Sequence, residues 1–165
     1  MFLSGAGLNR TACRLVTILL EQVDLLRRFY GKVVVPEAVA SELSNAAAPG
    51  VVSEWIAAPP SWLEVRPFAP EVLAAITDDL DLGERAAIAL AGAMRADLLL
   101  IDEATGRAGA KRRHLRVTGG LGVLRSRAER GLVNVPDLLA RLKTTSFYLD
   151  DALVSRVFAP WPPRS

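Results

Sequence analysis

The sequence is poor in the residues that form disulfides or bind zinc, since it contains one cysteine, Cys13, and one histidine, His114. A lone cysteine cannot form an internal disulfide, which fits a reducing compartment, and we therefore expect a cytoplasmic protein. One cysteine and one histidine are also too few for a structural zinc site or for a Cys–His nucleophile pair.

Long hydrophobic runs are missing as well. The longest apolar stretches, such as "LVTILL" and "AAIALAGAM", are far shorter than the roughly 18 residues that a membrane helix needs. The first residues, "MFLSGAGLNR", do not show a charged region followed by a hydrophobic region and a cleavage site. We therefore expect neither a membrane span nor a secretory signal.

The composition is that of a folded protein. The chain has 165 residues, of which 51% are hydrophobic, and its mean hydropathy is +0.26. This length suits one domain, and this apolar content suits a sizeable core. We predict a single domain over residues 1–158, with an atypical segment at 1–22, and a C-terminal tail at 159–165.

Positive charge is concentrated in one segment. The formal net charge is only +2, but the stretch from Lys111 to Arg130 holds seven Lys or Arg residues and a single acid, Glu129. Such a segment can contact a polyanion, or it can be an arginine-rich solvated surface. The sequence leaves both interpretations open.

The first half of the chain shows a strand–helix unit followed by a strand. "KVVVPEAVASELSNAA" predicts a strand at 32–35 and then a helix with Pro36 in its first turn. "WIAAPPSWLEVRPFAP" is rich in proline and predicts a loop that contains a strand at 62–65. "DLDLGERAAIALAGAMRA" predicts a long helix, since Asp81 and Glu84 have the spacing of a capping box.

The second half continues the alternation. "DLLLI" predicts a strand buried on both faces of a parallel sheet, and "LRVTG" predicts another strand. Helices are predicted for "ATGRAGAKRRH", for "GLGVLRSRAERGLV" up to Gly131, for "NVPDLLARLKTTS" and for "YLDDALVSRVF". Strands that alternate with helices indicate a three-layer α/β domain.

Several acids fall where parallel sheets bind ligands. Asp102 and Glu103 directly follow the "LLLI" strand, beyond whose carboxyl end ligands bind in such folds. Glu84 begins a helix, and Glu42 lies one turn before the end of another. Converging carboxylates are best stabilised by a hard divalent cation such as Mg²⁺, and carboxylates with Mg²⁺ or Mn²⁺ suit phosphodiester hydrolysis.

Each of these acids also has a purely structural interpretation. Glu84 can be the capping-box acid of its helix, and Asp102 can cap the next helix. Glu42 can be an exposed helix residue, and Glu103 can face solvent or pair with Arg107. Arg107 itself can clamp Asp102 or contact a phosphate. The glycines in "VTGGLGVL" do not match a dinucleotide-binding or Walker A motif and indicate a tight strand-to-helix turn.

The order of four motifs resembles a known family. "VVVPEAVASEL", "LDLGERAAIALA", "ADLLLIDEATGRAGA" and "LRVTGGLGVLRSRAERGLV" look like the PIN-like branch related to VapC-type toxins, formerly described as a domain of unknown function. The resemblance covers about Val23 to Val133. It implies a three-layer α/β/α domain with a central, mostly parallel sheet and an acidic pocket that holds Mg²⁺ or Mn²⁺. Characterised relatives are ribonucleases, often homodimeric toxins held by a small antitoxin protein.

The resemblance assigns the site residue by residue. The family's helix acid falls on Glu42, its second acid falls on Glu84 in place of the more usual Asp, and its strand-end acid falls on Asp102. Glu103 is a weaker additional metal ligand, and Arg107 matches the "GR" that this branch carries. RNA is then expected to cross the Lys111–Arg130 face, with contacts from Arg107, Lys111, Arg112, Arg113, Arg125 and Arg127.

The start of the chain departs from the family pattern. PIN domains open with a strand that ends in an Asp, whereas here "GLN" at residues 7–9 places Ser4 in that position, and no acid precedes Glu21. A hydroxyl in place of a carboxylate removes most of the affinity for a hard cation. The resemblance thus predicts an Mg²⁺- or Mn²⁺-dependent endoribonuclease, a toxin by its family, with a defective metal site unless Glu21 or Asp24 substitutes. The unusual start would then reflect a frameshift or a different true start.

Two other classes remain. One is a catalytically inactive PIN-fold module that binds RNA or a protein. The other is a flavodoxin-like or receiver-like α/β domain. A receiver needs an acid pair after its first strand and a Lys near the end of another strand, and the sequence shows no such layout.

Overall fold

The structure is a computed structural model. It describes residues 2–3, 27, 30–45, 48, 50–74, 76, 79–144 and 151–159. Ser4, which the resemblance places at the position of the first family acid, and its predicted substitutes Glu21 and Asp24 lie outside these residues. Residues 160–165 of the predicted tail lie outside them as well.

In the described part of the chain, five strands form one sheet in the order β3-β2-β1-β4-β5, and all neighbouring pairs are parallel. Because all strands run the same way, their carboxyl ends share one edge of the sheet. The strands are β1 (Phe2–Leu3), β2 (Val33–Pro36), β3 (Leu63–Arg66), β4 (Leu99–Leu100) and β5 (Val117–Thr118).

Helices fill the connections between the strands and the C-terminal part of the chain. They are α1 (Glu37–Leu43), α2 (Gly50–Ala57), α3 (Pro70–Ala74), α4 (Leu82–Ala93), α5 (Ala104–Arg112), α6 (Gly120–Glu129), α7 (Val135–Thr144) and α8 (Asp151–Phe158). None of the helices in the described residues is long and apolar enough to cross a membrane.

Alternate residues of the central strands pack into two separate apolar clusters. In β2, Val33 and Val35 belong to the first cluster and Val34 belongs to the second. In β4, Leu100 belongs to the first cluster and Leu99 to the second. Successive side chains of a strand point to opposite faces, so both faces of these strands are covered by apolar groups. This confirms the prediction of a strand buried on both faces at "DLLLI".

The helices supply the rest of each cluster. Ala87, Ile88 and Ala91 of α4 are buried in the second cluster. Val39 of α1 and Leu124 of α6 are buried in the first. The small side chains of α4 let this helix lie close to the sheet. Because α4 leads into the parallel strand β4, it runs opposite to the strands and begins near their carboxyl edge.

Both ends of two predicted strands shift by one residue. The first predicted strand begins at Val33 instead of Lys32 and ends at Pro36, and β3 spans Leu63–Arg66 instead of 62–65. Pro36 has extended backbone geometry and precedes α1 as its N-cap. It is therefore the last residue of the strand, not part of the first helical turn as predicted.

Two short helices, neither of them predicted, lie at the two ends of the predicted loop at 55–70. In α2, Val52 and Ile56 lie four residues apart and are both buried, which gives this short helix an apolar face. The prolines of "APP" come after its end at Ala57. Pro70 begins α3, a position where its missing N–H costs no hydrogen bond. Proline marks the borders of these helices, and the prediction wrongly extended its effect over the whole segment.

The remaining predicted helices are confirmed as α4 to α8 within a few residues. The predicted stop at Gly131 is also confirmed, because α6 ends at Glu129 and Gly131 has a φ of 67°. A positive φ is accessible to glycine at little cost, so this residue turns the chain out of the helix. The predicted domain limits at residues 158 and 159 stay a prediction.

Candidate functional site

Glu84 lies in the first turn of α4, where it completes a capping box with Asp81. The Asp81 carboxylate Oδ1 accepts a hydrogen bond from the Glu84 backbone N–H at 2.7 Å. The Glu84 carboxylate accepts a hydrogen bond from the Asp81 backbone N–H in return. This reciprocal arrangement satisfies two N–H groups at the helix start. The structural interpretation of Glu84 is therefore confirmed, and it does not exhaust the role of the side chain.

The Glu84 side chain is buried almost completely, with 2% of its surface exposed. Its Oε1 atom has no hydrogen-bond partner among the described residues. A buried carboxylate oxygen without a partner is costly, because the lost hydration is not replaced. The cost is lower when the carboxyl is protonated, because the neutral form loses less hydration on burial.

Gly106 of α5 forms the wall against which Glu84 packs. A Cβ atom at Gly106 would lie 2.9 Å from Cδ of Glu84 and 2.8 Å from Cγ2 of Ile101. Both distances are shorter than van der Waals contact. Only glycine leaves room for the carboxylate here, so the "TGR" sequence at the start of α5 has a steric reason.

The pKa of Glu84 is raised to about 7, mainly by burial and further by the negative charges of Asp81 and Glu103. The hydrogen bond from the Asp81 N–H acts in the opposite direction and lowers this pKa. Burial disfavours the charged carboxylate, and nearby acids disfavour it further. Near neutral pH, Glu84 therefore exchanges readily between its protonated and ionised forms.

Glu42 lies on α1, half-buried, and belongs to the same electrostatic group. Its pKa is also raised to about 7, first by burial and then by the charges of Asp81 and Glu84. The predicted pair Glu42 and Glu84 is thus brought close enough for the charge of Glu84 to disfavour the ionised form of Glu42. We call Glu42, Asp81, Glu84 and Glu103 the acid cluster.

Asp102 follows β4 and makes a different set of contacts. Its Oδ1 atom accepts a hydrogen bond from the Gly120 backbone N–H at 2.8 Å. Burial raises the pKa of Asp102, while this hydrogen bond and the charge of Arg107 lower it. Asp102 therefore caps α6, which follows the neighbouring strand β5, and not the next helix in the chain, as the structural alternative supposed.

Glu103 and Arg107 flank Asp102. Glu103 occupies the N-cap position of α5 without a side-chain capping hydrogen bond, and its charge raises the pKa of Glu84. Arg107 donates from Nη1 to the backbone carbonyl of Asp102. Of the two predicted roles for Arg107, the contact corresponds to a clamp on the strand end.

Asp81 was missed as a member of the site, because the capping-box pattern already explained it. The structure shows that its charge raises the pKa of both Glu42 and Glu84. The spacing between Asp81 and Glu84 was the available signal, since an N-cap acid necessarily lies beside the first turn of its helix.

The acids at this edge are the type of ligand that a divalent cation prefers, but too few of them are grouped in the described residues to hold one. Carboxylate oxygens are the ligands that Mg²⁺ and Mn²⁺ prefer, and the unpartnered Oε1 of Glu84 is such a donor. Within the described residues, however, no group of three or more His, Cys, Asp or Glu side chains is arranged to hold a metal ion. Ser4, which follows β1 directly in the chain, lies outside those residues.

The side chains predicted to contact RNA differ in their exposure and in the contacts that they already make. Lys111 and Arg112 are exposed at the end of α5, and Arg113 donates to the Gly109 carbonyl at 3.0 Å. Arg125 is exposed and pairs with Glu129 at 2.9 Å.

Arg127 is the exception among the predicted RNA contacts. Only 2% of its surface is exposed, and burial lowers the pKa of its guanidinium while Tyr30 raises it. It lies on the inner face of α6 beside Val123 and Leu124, which are buried in the first apolar cluster. The predicted contact of Arg127 with an RNA phosphate is therefore wrong, because this side chain lies in the interior.

Comparison with known proteins identifies the family. A family model described as a PIN domain matches residues 16–161. No curated protein and no solved structure matches the sequence significantly. The family match includes Glu42, Glu84 and Asp102 and begins after Ser4. Because the match covers most of the sequence and agrees with the parallel sheet, the chain belongs to the PIN-domain family.

Proposed function

We propose that this protein is a divalent-metal-dependent ribonuclease that hydrolyses RNA phosphodiester bonds. PIN domains are a nuclease-like family and generally use divalent metals. The observation that carries the proposal is the unpartnered, buried oxygen of Glu84 beside a second carboxylate, Glu42, whose pKa is also raised to about 7. A cation would neutralise this unfavourable pair.

The proposal includes a three-layer α/β/α arrangement with the sheet in the middle. Its support is the alternation of β2 and β4 residues between the two apolar clusters. Helices α1 and α6 contribute to one cluster and α4 to the other. Such an arrangement leaves the carboxyl edge of the sheet open for a ligand.

In this proposal Glu42, Glu84 and Asp102 hold Mg²⁺ or Mn²⁺, and Glu103 contributes more weakly. When bound, the cation activates a water molecule and offsets negative charge on the phosphate. Glu42 and Glu84 must be ionised to bind it. Because their pKa values are about 7, cation affinity rises with pH through neutrality. Asp102 is oriented by the Gly120 N–H, which leaves its other oxygen for a ligand.

The RNA backbone is proposed to lie on the basic side of the site. Arg107 lies next to Asp102, and the other basic residues, Lys111, Arg112 and Arg113 at the far end of α5 and Arg125 on α6, would extend the contact away from the acids. Phosphate contacts of this kind give affinity without sequence preference, and the affinity falls as salt increases.

Cleavage of a labelled RNA with Mg²⁺ or Mn²⁺ tests the function. We expect cleavage by the wild-type protein, none with EDTA, and at least about a hundredfold loss in Glu84→Gln and Asp102→Asn, because each removes a charged ligand of the cation. Glu129→Gln is the matched control, since Glu129 is an exposed acid paired with Arg125. Cleavage that survives EDTA or Asp102→Asn would contradict the assignment.

A second candidate is a catalytically inactive PIN-fold module that binds RNA or a protein. Two points favour it: the resemblance places Ser4 at the position of the first family acid, and the described residues contain no three-residue metal group. This candidate predicts salt-sensitive RNA binding without cleavage and without Mn²⁺ binding in a titration followed by electron paramagnetic resonance.

The biological setting is proposed on the family relationship alone. We propose a cytoplasmic toxin of a toxin–antitoxin pair that forms a homodimer and is held by a small antitoxin protein. Growth arrest on expression, with relief by the product of an adjacent small gene, tests the toxin role. Sedimentation of the purified protein tests the dimer.

A further inference from the structure

A cleft of about 500 Å³ lies directly beside the acid cluster. It is bordered by α1, by the segment after β3 and by the first residue of α4. The residues that matter for its chemistry are Glu37, Ser41, Glu42, Asn45, Phe68 and Leu82. Glu42 is therefore shared between the cleft and the acid cluster.

The cleft occupies the ligand-binding edge of the sheet. β2 ends at Pro36, immediately before Glu37, and β3 ends at Arg66, two residues before Phe68. Both strands are parallel and hydrogen-bonded to each other, so these two ends are adjacent. Ligands of parallel sheets bind beyond the carboxyl ends of the strands.

The lining of the cleft combines an apolar part with a row of hydrogen-bonding groups. Phe68 is half-buried, and Leu82 is 51% exposed although it is a large apolar residue at the start of a helix. Glu37 and Ser41 lie four residues apart on α1, and Asn45 follows at the same spacing just after the helix. A flat ligand ring with polar edges could stack on the aromatic side chain and form hydrogen bonds with the carboxylate, hydroxyl and amide groups.

We propose that this cleft binds one unstacked nucleobase of the single-stranded RNA whose backbone lies at the acid cluster, with the base stacked on Phe68. The inference rests on the proposed function, since the base and the phosphate belong to the same RNA. Recognition of single-stranded RNA commonly uses bases that are splayed out and stacked on aromatic side chains. A volume of about 500 Å³ lies within the range of pockets that hold small ligands.

The charges of the cleft decide which part of the RNA enters. Glu37, which lines the cleft and is not one of the proposed cation ligands, repels a phosphate, so the backbone stays outside the cleft. Carboxylates accept hydrogen bonds from the exocyclic amino groups of bases, as Glu and Asp do with the N4 amino group of cytosine. The cleft therefore favours cytosine, adenine or guanine over uracil, which has no exocyclic amino group.

Binding of short oligocytidylate RNA in EDTA, followed by fluorescence anisotropy, tests the inference without cleavage. Phe68→Ala is expected to weaken binding about 5- to 100-fold, the usual effect of losing one stacked base. Phe68→Trp is expected to retain binding, because the larger ring still stacks. Leu82→Ala is expected to weaken binding by a smaller factor.

Leu132→Ala is the matched control, since Leu132 is a partly exposed leucine, at 38%, in the connection between α6 and α7 and does not line the cleft. It is expected to leave the affinity unchanged. An RNA with one abasic nucleotide moved along the chain gives a second measurement. At one position the abasic RNA should bind wild type as weakly as Phe68→Ala binds intact RNA, and the two losses should not add.

Equal affinity of wild type and Phe68→Ala would overturn the inference, as would additive losses, failure of Phe68→Trp to restore binding, or oligouridylate binding as tightly as oligocytidylate. Absence of RNA binding would overturn it too. So would binding of a basic peptide in the cleft when no RNA binds there. The proposed ribonuclease activity is judged separately: cleavage with unchanged Phe68→Ala kinetics leaves the activity standing and removes the base site. Phe68-dependent RNA binding in EDTA, without any cleavage in Mn²⁺, leaves the base site standing and removes the ribonuclease activity.

Discussion

Glu84 and Asp102 are two acids at the same edge of the sheet, but their surroundings differ. Asp102 is half-buried, and one of its oxygens accepts a hydrogen bond from the Gly120 N–H at 2.8 Å. Glu84 is nearly fully buried, and its Oε1 has no hydrogen-bond partner among the described residues. Asp102 therefore supports the fold through its hydrogen bond, whereas Glu84 keeps an unsatisfied oxygen that packs against Gly106.

The comparison shows how one edge serves two purposes. The helix start at Gly120 needs an acceptor, and Asp102 supplies it at a strand end. The acid cluster holds its carboxylates close together, against their mutual repulsion. Such repulsion persists in a folded protein when the rest of the structure stabilises it, and perturbed carboxylates of this kind occur often at functional sites.

The largest expected effect is on the pH dependence of stability, which the unfavourable ionisation of the buried Glu84 causes. Its folded pKa of about 7 lies above its ordinary value of 4.5. The folded state thus holds this proton more tightly, and the stabilisation is present below pH 4.5 and lost as pH rises through about 7. Glu84→Gln should remove roughly 2–3 kcal/mol of this loss in the metal-free protein.

Urea unfolding of metal-free protein at about pH 5 and about pH 8 measures this difference. Glu129→Gln, at an exposed acid, is expected to follow the wild-type pH dependence. Glu42 has a pKa raised in the same direction, so part of the wild-type pH dependence should remain in Glu84→Gln. A wild-type stability that rises from the lower pH to the higher would contradict the assigned burial of Glu84.

The next effect in size concerns the wall beside Glu84. Gly106→Ala places a Cβ against Cδ of Glu84 and Cγ2 of Ile101, so we expect a loss of about 1–3 kcal/mol in the free energy of unfolding. Gly92→Ala is the control, since Gly92 lies in α4 and an added Cβ there would meet nothing within 4 Å. It should stabilise the protein by up to about 1 kcal/mol, because alanine favours a helix.

Chemical denaturation of the two glycine variants gives the comparison directly. Gly106→Ala should also displace the Glu84 carboxylate, and it should therefore reduce the cleavage rate even under conditions where the variant is fully folded. Equal stability of Gly106→Ala and Gly92→Ala would show that Glu84 does not pack against α5.

The smallest effect concerns the cap on α6. Asp102→Ala removes the acceptor of the Gly120 N–H and should cost about 1 kcal/mol of stability. Asp102→Asn keeps a side-chain oxygen and should recover much of that stability while the negative charge remains absent. Thermal unfolding of the two variants separates the cap from the charge, and an equal loss in both would attribute the effect to charge alone.

The sequence predicts the local elements of the fold well where several signals agree. The capping box at Asp81 and Glu84 locates the start of α4, and the apolar run at "DLLLI" locates β4. It does not predict α2, because prolines that border a helix were taken to exclude it. Whether Val52 and Ile56 form a helical face depends on the apolar cluster that they enter, which local pattern does not show.

For the site, the sequence predicts the candidate acids but not how they interact. The pairing of Asp81 with both Glu42 and Glu84 requires that α1 and α4 meet at one edge, although they are far apart in the chain. Arg127 has the same charge as its neighbours in "RSRAER", yet it lies on the buried face of α6. Helical phase indicates that such faces exist, and the packing partner decides which of them is buried.

The sequence by itself determined the parallel α/β pattern, the family and the residue types available to a divalent cation, because periodicity, capping and motif order are local properties of the chain. Only the tertiary structure decided that Glu84 is buried against Gly106, that Asp102 caps α6 and that a cleft opens beside Glu42. The physical reason is that burial and carboxylate repulsion depend on distances between elements that lie far apart in sequence.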